Sequence, residues 1–187
     1  MPIIRETIVT TIDTAGAVHI APLGLIADGD DWIIAPFKPS KTLDNLREVP
    51  HAVASHVDDV RIFAGCLTGR RDWPVVWTEG RVPRLQAAIS HWELEVALLD
   101  EHPERPRFRM RVIRAVAHAP ASGFNRAQAA IIELAILSSR LAMLPREKVR
   151  REAEYLGIAV EKTAGPHERE AWDWLMEKIH AFYGDAP

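Results

Sequence analysis

Between Glu6 and about His118 the chain is a succession of short runs rich in Val, Ile, Thr and Trp, punctuated by Gly, Pro and Asp. That pattern predicts an antiparallel β domain. Residues 8–12 read as a first strand, and residues 18–26 and 32–36 flank Asp28-Gly29-Asp30-Asp31, whose Asp-Gly pair supplies positive φ for a hairpin turn. Residues 53–57 and 75–80 are further strands. A second hairpin joins residues 92–96 to 108–112, both alternating with period two, across a turn at Pro103 to Pro106. In that register one face is apolar. The other sets Glu93 and Glu95 against Arg109, Arg111 and Arg114, cross-strand pairs contributing roughly 0.2–1 kcal/mol each.

After Pro120 the period becomes helical. Residues 125–144 predict a helix that is apolar almost all round, with Arg126, Glu133 and Arg140 on one stripe, so it should be buried on most sides with Glu133 and Arg140 neutralised by each other or by partners. Pro145 opens a charged helix expected to stop at Gly157. Pro166 opens another, whose Trp172, Leu175, Met176, Ile179, Phe182 and Tyr183 share a face. The division is therefore a β domain over residues 1–119 and a helical domain over 120–187, an α+β chain that is mainly β with C-terminal helices.

Composition narrows the function classes. A hydrophobic content of 48% with 26% charged residues is that of a globular protein, and a net charge of −3 gives no general attraction to nucleic acid. The apolar stretch 127–144 carries Glu133 and Arg140 and is short for a bilayer, so no membrane span is expected. The first residues show no charged segment followed by an apolar one, and the single Cys66 excludes an internal disulfide; both point to the cytoplasm. Cys66 reads as a small buried hydrophobe rather than a nucleophile. The eight histidines include no His-x-His or His-x-x-x-His pair, so no metal site is expected.

Chemistry concentrates in two segments. Lys38-Pro39-Ser40-Lys41 runs into a short helix, residues 42–47, halted by Pro50. A helix start with hydroxyls and lysines is a seat for a phosphate, although Ser40 or Thr42 also serves simply as an N-cap. Ala21-Pro22-Leu23-Gly24-Leu25 places Pro and Gly inside a strand, which suits either the close approach of a flat ring or a β-bulge. Asn125 and Arg126 open the long helix, as a cap and its ion-paired neighbour or as a reach toward a ligand.

The order of "HIAPLGL", a hairpin, "APFKPSKTLDNL" and "AVASHV" resembles the flavin reductase-like FMN-binding split barrel. "GFNRAQAAIIELAILSSRL" and the tail after it resemble, more specifically, the domain of unknown function 447 family, which joins that barrel to C-terminal helices. The resemblance implies an antiparallel six-stranded split β-barrel and a homodimer with FMN near the subunit interface. It places the isoalloxazine at Pro22, Leu23 and Gly24, and the phosphate and ribityl chain at Ser40, Lys41, Thr42 and Asn45, with His56 and Val57 as further contacts. Lysines here stand where many flavin reductases carry an arginine. No catalytic side chain is assigned, because the flavin itself would do the electron chemistry. Two functions follow: an FMN-dependent oxidoreductase of unnamed substrate, or a non-catalytic FMN carrier, sensor or structural dimer.

Overall fold

The structure is a computed structural model that describes residues 1–184. The chain divides into two compact units, residues 1–57 with 73–120, and residues 58–72 with 121–187.

The first unit is a closed antiparallel barrel of six strands. In chain order it contains β1 (Ile4–Ile12), β2 (Val18–Asp28), β3 (Asp31–Ile34), α1 (Lys41–Glu48) and β4 (His51–His56). After the segment given to the second unit come β5 (Val75–Val76), β6 (Arg84–Leu85), β7 (Ser90–Asp100) and β8 (Arg107–Ala117). The barrel order is β1-β2-β3-β8-β7-β4, which bears out the expected fold. Gly29, at φ 64°, makes the turn between β2 and β3. Val9, Leu25, Ile34, Leu94, Phe108 and Met110 fill the interior, and Leu43 and Leu46 of α1 pack into the same core.

The strands of this unit depart from the sequence pattern in four places. Residues 75–80 are not a barrel strand: only Val75 and Val76 pair, with Leu85 and Arg84, because Pro74 and Pro83 beside them have no N–H to extend a ladder. The β7–β8 hairpin is longer than expected and carries bulges at Glu93/Leu94 and Val96/Leu98. The first bulge buries both Glu93 and Leu94, so Glu93 does not sit on a solvent-facing polar stripe. Glu93 and Glu95 do oppose Arg114 and Arg111, but Arg109 falls opposite Leu98 and binds Asp28 at 2.6 Å.

The second unit holds α2 (Arg61–Leu67), α3 (Arg126–Ser138), α4 (Arg146–Thr163) and α5 (Pro166–Tyr183). Val60, Ala64, Ile131, Leu134, Val149, Leu175 and Ile179 form its core. Asn125 caps α3, accepting from the Ala127 and Gln128 amides at 2.8 and 3.3 Å. The helix ends at Ser138, well short of Leu144, where the Ser138 and Ser139 hydroxyls donate back to the Ala135 and Ile136 carbonyls. Arg126, Glu133 and Arg140 lie exposed rather than buried, because the Ala, Ile and Leu positions between them supply enough apolar surface to face inward. Gly157 does not end α4. It lies within the helix facing Trp172, and a Cβ built there would stand 3.6 Å from that ring. On α5, Leu175 and Ile179 are buried as expected, whereas Phe182 is exposed and meets Tyr183 edge to face. No described helix is long and apolar enough to cross a membrane.

Candidate functional site

β2 pairs with β1 from Val18 to Ile26 but with β3 only through Ile26, Ala27 and Asp28. From Val18 to Leu25 one edge therefore lies outside the barrel ladder. Such an edge tolerates the missing N–H of Pro22. The β1–β2 register runs unbroken through Pro22 opposite Ile8, Leu23 opposite Thr7 and Gly24 opposite Glu6, so this segment holds no bulge. The Thr7 hydroxyl donates to the Leu23 carbonyl at 3.1 Å. A Cβ on Gly24 would come within 2.8 Å of Ile4 Cγ2 and 3.3 Å of Glu6 Oε1. The missing side chain thus leaves room for neighbours on β1.

Ser40 is the N-cap of α1, its hydroxyl accepting from the Leu43 amide at 3.3 Å. The first helical amides, of Lys41 and Thr42, precede any intrahelical bond and carry the positive end of the helix. Lys41 is exposed and bonds Asp13 Oδ2 at 3.2 Å, and the Ala17 amide, followed by Lys41 and the Ala15 amide, holds the Asp13 carboxyl below its usual range. Thr42 and Asn45 point inward and are buried. Asn45 Nδ2 donates to Thr11 Oγ1 at 3.0 Å, while its Oδ1 has no hydrogen-bond partner. Before the helix, the loop is fastened by the turn between β7 and β8. Arg105 Nε donates to the Ala35 carbonyl at 2.6 Å and its guanidinium covers Phe37, and Glu101 lies 2.7 Å from Arg47 and 3.7 Å from Lys38.

His56 ends β4 and is half-buried, with Val57 following it. Its Nδ1 lies 3.0 Å from Ser90 Oγ and its Nε2 has no partner. The ring meets Trp92 edge-on at 4.6 Å, and Trp92 lies 5.1 Å from Trp32, over which Arg5 stands at 6.0 Å. Burial, seconded by Arg5 and His91, pushes the His56 imidazole below its ordinary value, against a raising contribution from Ser90. A base whose folded pKa is depressed keeps its full contribution to stability above the unfolded value of about 6.5 and loses it as pH falls from there through the folded value. Urea unfolding between pH 7.5 and 5 is expected to show stability dropping, with a shallower drop in His56→Gln; equal slopes in the two proteins would remove His56 from that account.

The expected residues thus form two groups along the β1–β2 pair. Ser40, Lys41, Thr42 and Asn45 gather at the level of Thr11, which pairs with His19. Pro22, Leu23 and Gly24 lie three to five residues further along β2, roughly 10–17 Å at ~3.3 Å per residue. Continuing the β1–β4 register from Ile8 opposite Ser55 puts His56 level with Thr7, across β1 from Leu23. Trp32, Trp92, Arg5 and the fastening Arg105 join them only in three dimensions. Among the described residues no cluster of three or more His, Cys, Asp or Glu side chains could hold a metal. Cys66 of α2 is buried, and burial pushes its thiol up to about 11, as an inert hydrophobe requires.

A closed six-stranded antiparallel barrel with a helix start beside a free strand edge has the fold of the flavin reductase-like split barrels. The chain belongs to the family described as protein of unknown function (DUF447), matching its N-terminal domain over residues 5–119 and its further domain over residues 125–177. It is similar to the FMN-bound DUF447 protein of Methanosarcina mazei, at 20% identity and a TM-score of 0.81, over 95% of this chain and 96% of that one. It is also similar to the 2-nitrobenzoate 2-nitroreductase of Pseudomonas fluorescens, at 20% identity and TM-score 0.53, over 63% of this chain and 66% of that one. An FMN-binding protein of Thermus thermophilus with bound p-hydroxybenzaldehyde aligns at 18% identity and TM-score 0.51, over 60% and 71% of the two chains.

Proposed function

We propose that this chain is a cytoplasmic, homodimeric FMN-binding protein that acts as a flavin-dependent oxidoreductase. The observation that carries the reading is a structural match along nearly the whole chain to an FMN-bound member of the same family. The residues in hand fit the cofactor. The start of α1, with Ser40, the Lys41 and Thr42 amides and the Lys41 and Lys38 ammonium groups nearby, suits a phosphate dianion. The partnerless Asn45 Oδ1 is an acceptor for a polyol hydroxyl. The free edge of β2 at Pro22, Leu23 and Gly24 offers main-chain groups to the rim of a flat ring, beside the half-buried Trp32, Trp92, His56 and Val57.

FMN, when bound, supplies the electron-accepting chemistry. The chain's own part is binding and polarity. Arg105 and Glu101 hold the loop that presents Ser40, so the phosphate seat is formed before the ligand arrives. His56, neutral at pH 7 because of burial, adds no charge beside a ring whose charge changes on reduction. Exposed Ile4, Leu98 and Ile113 on the barrel unit supply apolar area for a second copy.

The test is to incubate the purified protein with FMN, remove the excess by gel filtration and record the absorbance spectrum with the scattering mass. Flavin bands eluting with a particle of twice the 21.0 kDa chain mass are expected, with bleaching by NADH or NADPH without oxygen. Absence of retained flavin would sink the cofactor assignment. Retained flavin that no nicotinamide donor reduces would leave a carrier or sensor.

A further inference from the structure

The β5–β6 segment leaves a recess of about 430 Å³ against β7 and β8, on the barrel unit and apart from the residues assigned to FMN. Its floor is made by His91 and Glu93, 2% and 6% exposed. Trp77 and the side chains of Arg84, Arg114 and His118 make the walls.

Two floor atoms, His91 Nε2 and Glu93 Oε1, have no hydrogen-bond partner. They lie 3.5 Å apart, within reach of a weak electrostatic contact but too far for a good hydrogen bond to each other. A carboxylate oxygen without a hydrogen bond out of water is costly, and native proteins seldom leave such groups unsatisfied. The arginines answer it only in part. Arg114 Nη1 stands 3.8 Å from Glu93 Oε1 but 2.9 Å from the exposed Glu79, and Arg84 Nη1 donates to the Leu85 and Gln86 carbonyls at 2.8 and 3.2 Å.

The state of His91 follows from its other nitrogen, which lies 2.8 Å from His118 Nε2 with the two rings 4° from parallel. Two neutral imidazoles share one proton at such a contact. Burial lowers His91 from the ordinary histidine value against the opposing pull of Glu93, and desolvation with Arg84 lowers the exposed His118, which favours a neutral pair near pH 7. The Glu93 carboxylate favours the arrangement in which His118 donates to His91 Nδ1 and His91 carries its own proton on Nε2. The floor then presents an N–H donor beside a carboxylate acceptor. That pair is complementary to an amide edge: a C=O that accepts from His91 and an N–H that donates to Glu93.

We propose that this recess is a second binding site, for a small planar molecule bearing a carboxamide or lactam edge, with Trp77 offering the face on which its ring lies. Glu93 selects against the matching carboxylic acid, which has no donor at neutral pH and would set like charge against like.

The probes are benzamide and benzoate, titrated into the full chain and followed by amide and indole chemical-shift changes. Benzamide is expected to bind at least tenfold tighter than benzoate and to shift the Trp77 indole. Glu93→Gln is expected to erase that preference, and Trp77→Ala, at a side chain 56% exposed, to weaken benzamide while leaving the thermal midpoint in place. Benzoate binding as well as benzamide would show that the arginines rule the site and would overturn the proposal. So would unchanged benzamide affinity in a folded Trp77→Ala protein. Loss of FMN retention in a folded Glu93→Gln protein would overturn it too, since the floor would then be holding the flavin's own imide edge. Failure to retain FMN in the wild type bears on the cofactor assignment and leaves this site standing.

Discussion

Phe108→Ala is expected to cost about 3–5 kcal/mol of stability, the range for removing a fully buried aromatic side chain from a packed core. Phe108 is 1% exposed and lies among Val9, Leu25, Ile34, Leu94 and Met110. It sits on β8 opposite both Ile34 of β3 and Leu99 of β7. A closed barrel cannot slide one strand inward without breaking register with two neighbours, so the cavity collapses poorly and the upper part of the range applies. The matched control is Phe182→Ala, on a side chain 53% exposed, for which a change within about 0.5 kcal/mol is expected. Urea unfolding read by tryptophan fluorescence distinguishes them. Comparable losses in the two variants would mean that the barrel interior is not where the strand pattern and the burial place it.

What the sequence disclosed follows the range of the forces involved. Turns and alternation are local, so the Asp28-Gly29 hairpin, the Ser40 cap and the β7–β8 pairing could be read from neighbouring residues. Helix ends depend on tertiary contacts as well. Gly157 looks like a stop because its backbone cost is intrinsic, yet it stays helical where tertiary contact with Trp172 outweighs roughly 1 kcal/mol of propensity. Spacing puts Arg126, Glu133 and Arg140 on one stripe, but spacing alone does not say which side of a nearly all-apolar helix meets solvent. α2 left little trace, being short and without a capping side-chain bond.

The candidate site divides in the same way. The helix start and the Pro-Gly strand announce themselves in residue types that have special backbone chemistry. Arg105 and Glu101, which fix the loop, lie more than fifty residues from Ala35 and Arg47, and only the register of two hairpins brings them there. The pairing of His91 with His118 was hidden likewise. Twenty-seven residues separate them, and no spacing rule joins two histidines brought side by side by a bulged hairpin.

Lys41→Glu is expected to weaken FMN binding by roughly tenfold or more, a factor worth about 1.4 kcal/mol. Lys41 opens α1, so its ammonium adds to the positive end of the helix, and its exposure lets it turn from Asp13 to an arriving dianion. Reversing its charge replaces attraction by repulsion at the helix start without disturbing Thr42 or Asn45, which are buried beneath it. Because the contact faces water, the penalty should shrink as salt rises and the Debye length falls from ~10 Å at 0.1 M to ~3 Å at 1 M. Lys162→Glu, a charge change of the same size in the last turn of α4, is the control and should leave affinity unaltered. Riboflavin sharpens the test, since it keeps the ring and ribityl chain but lacks the phosphate. If Lys41 acts on the phosphate, the variant loses affinity for FMN and keeps whatever affinity it has for riboflavin. Equal losses for both would place Lys41 against the ring or in the fold, and the phosphate would have to be sought elsewhere.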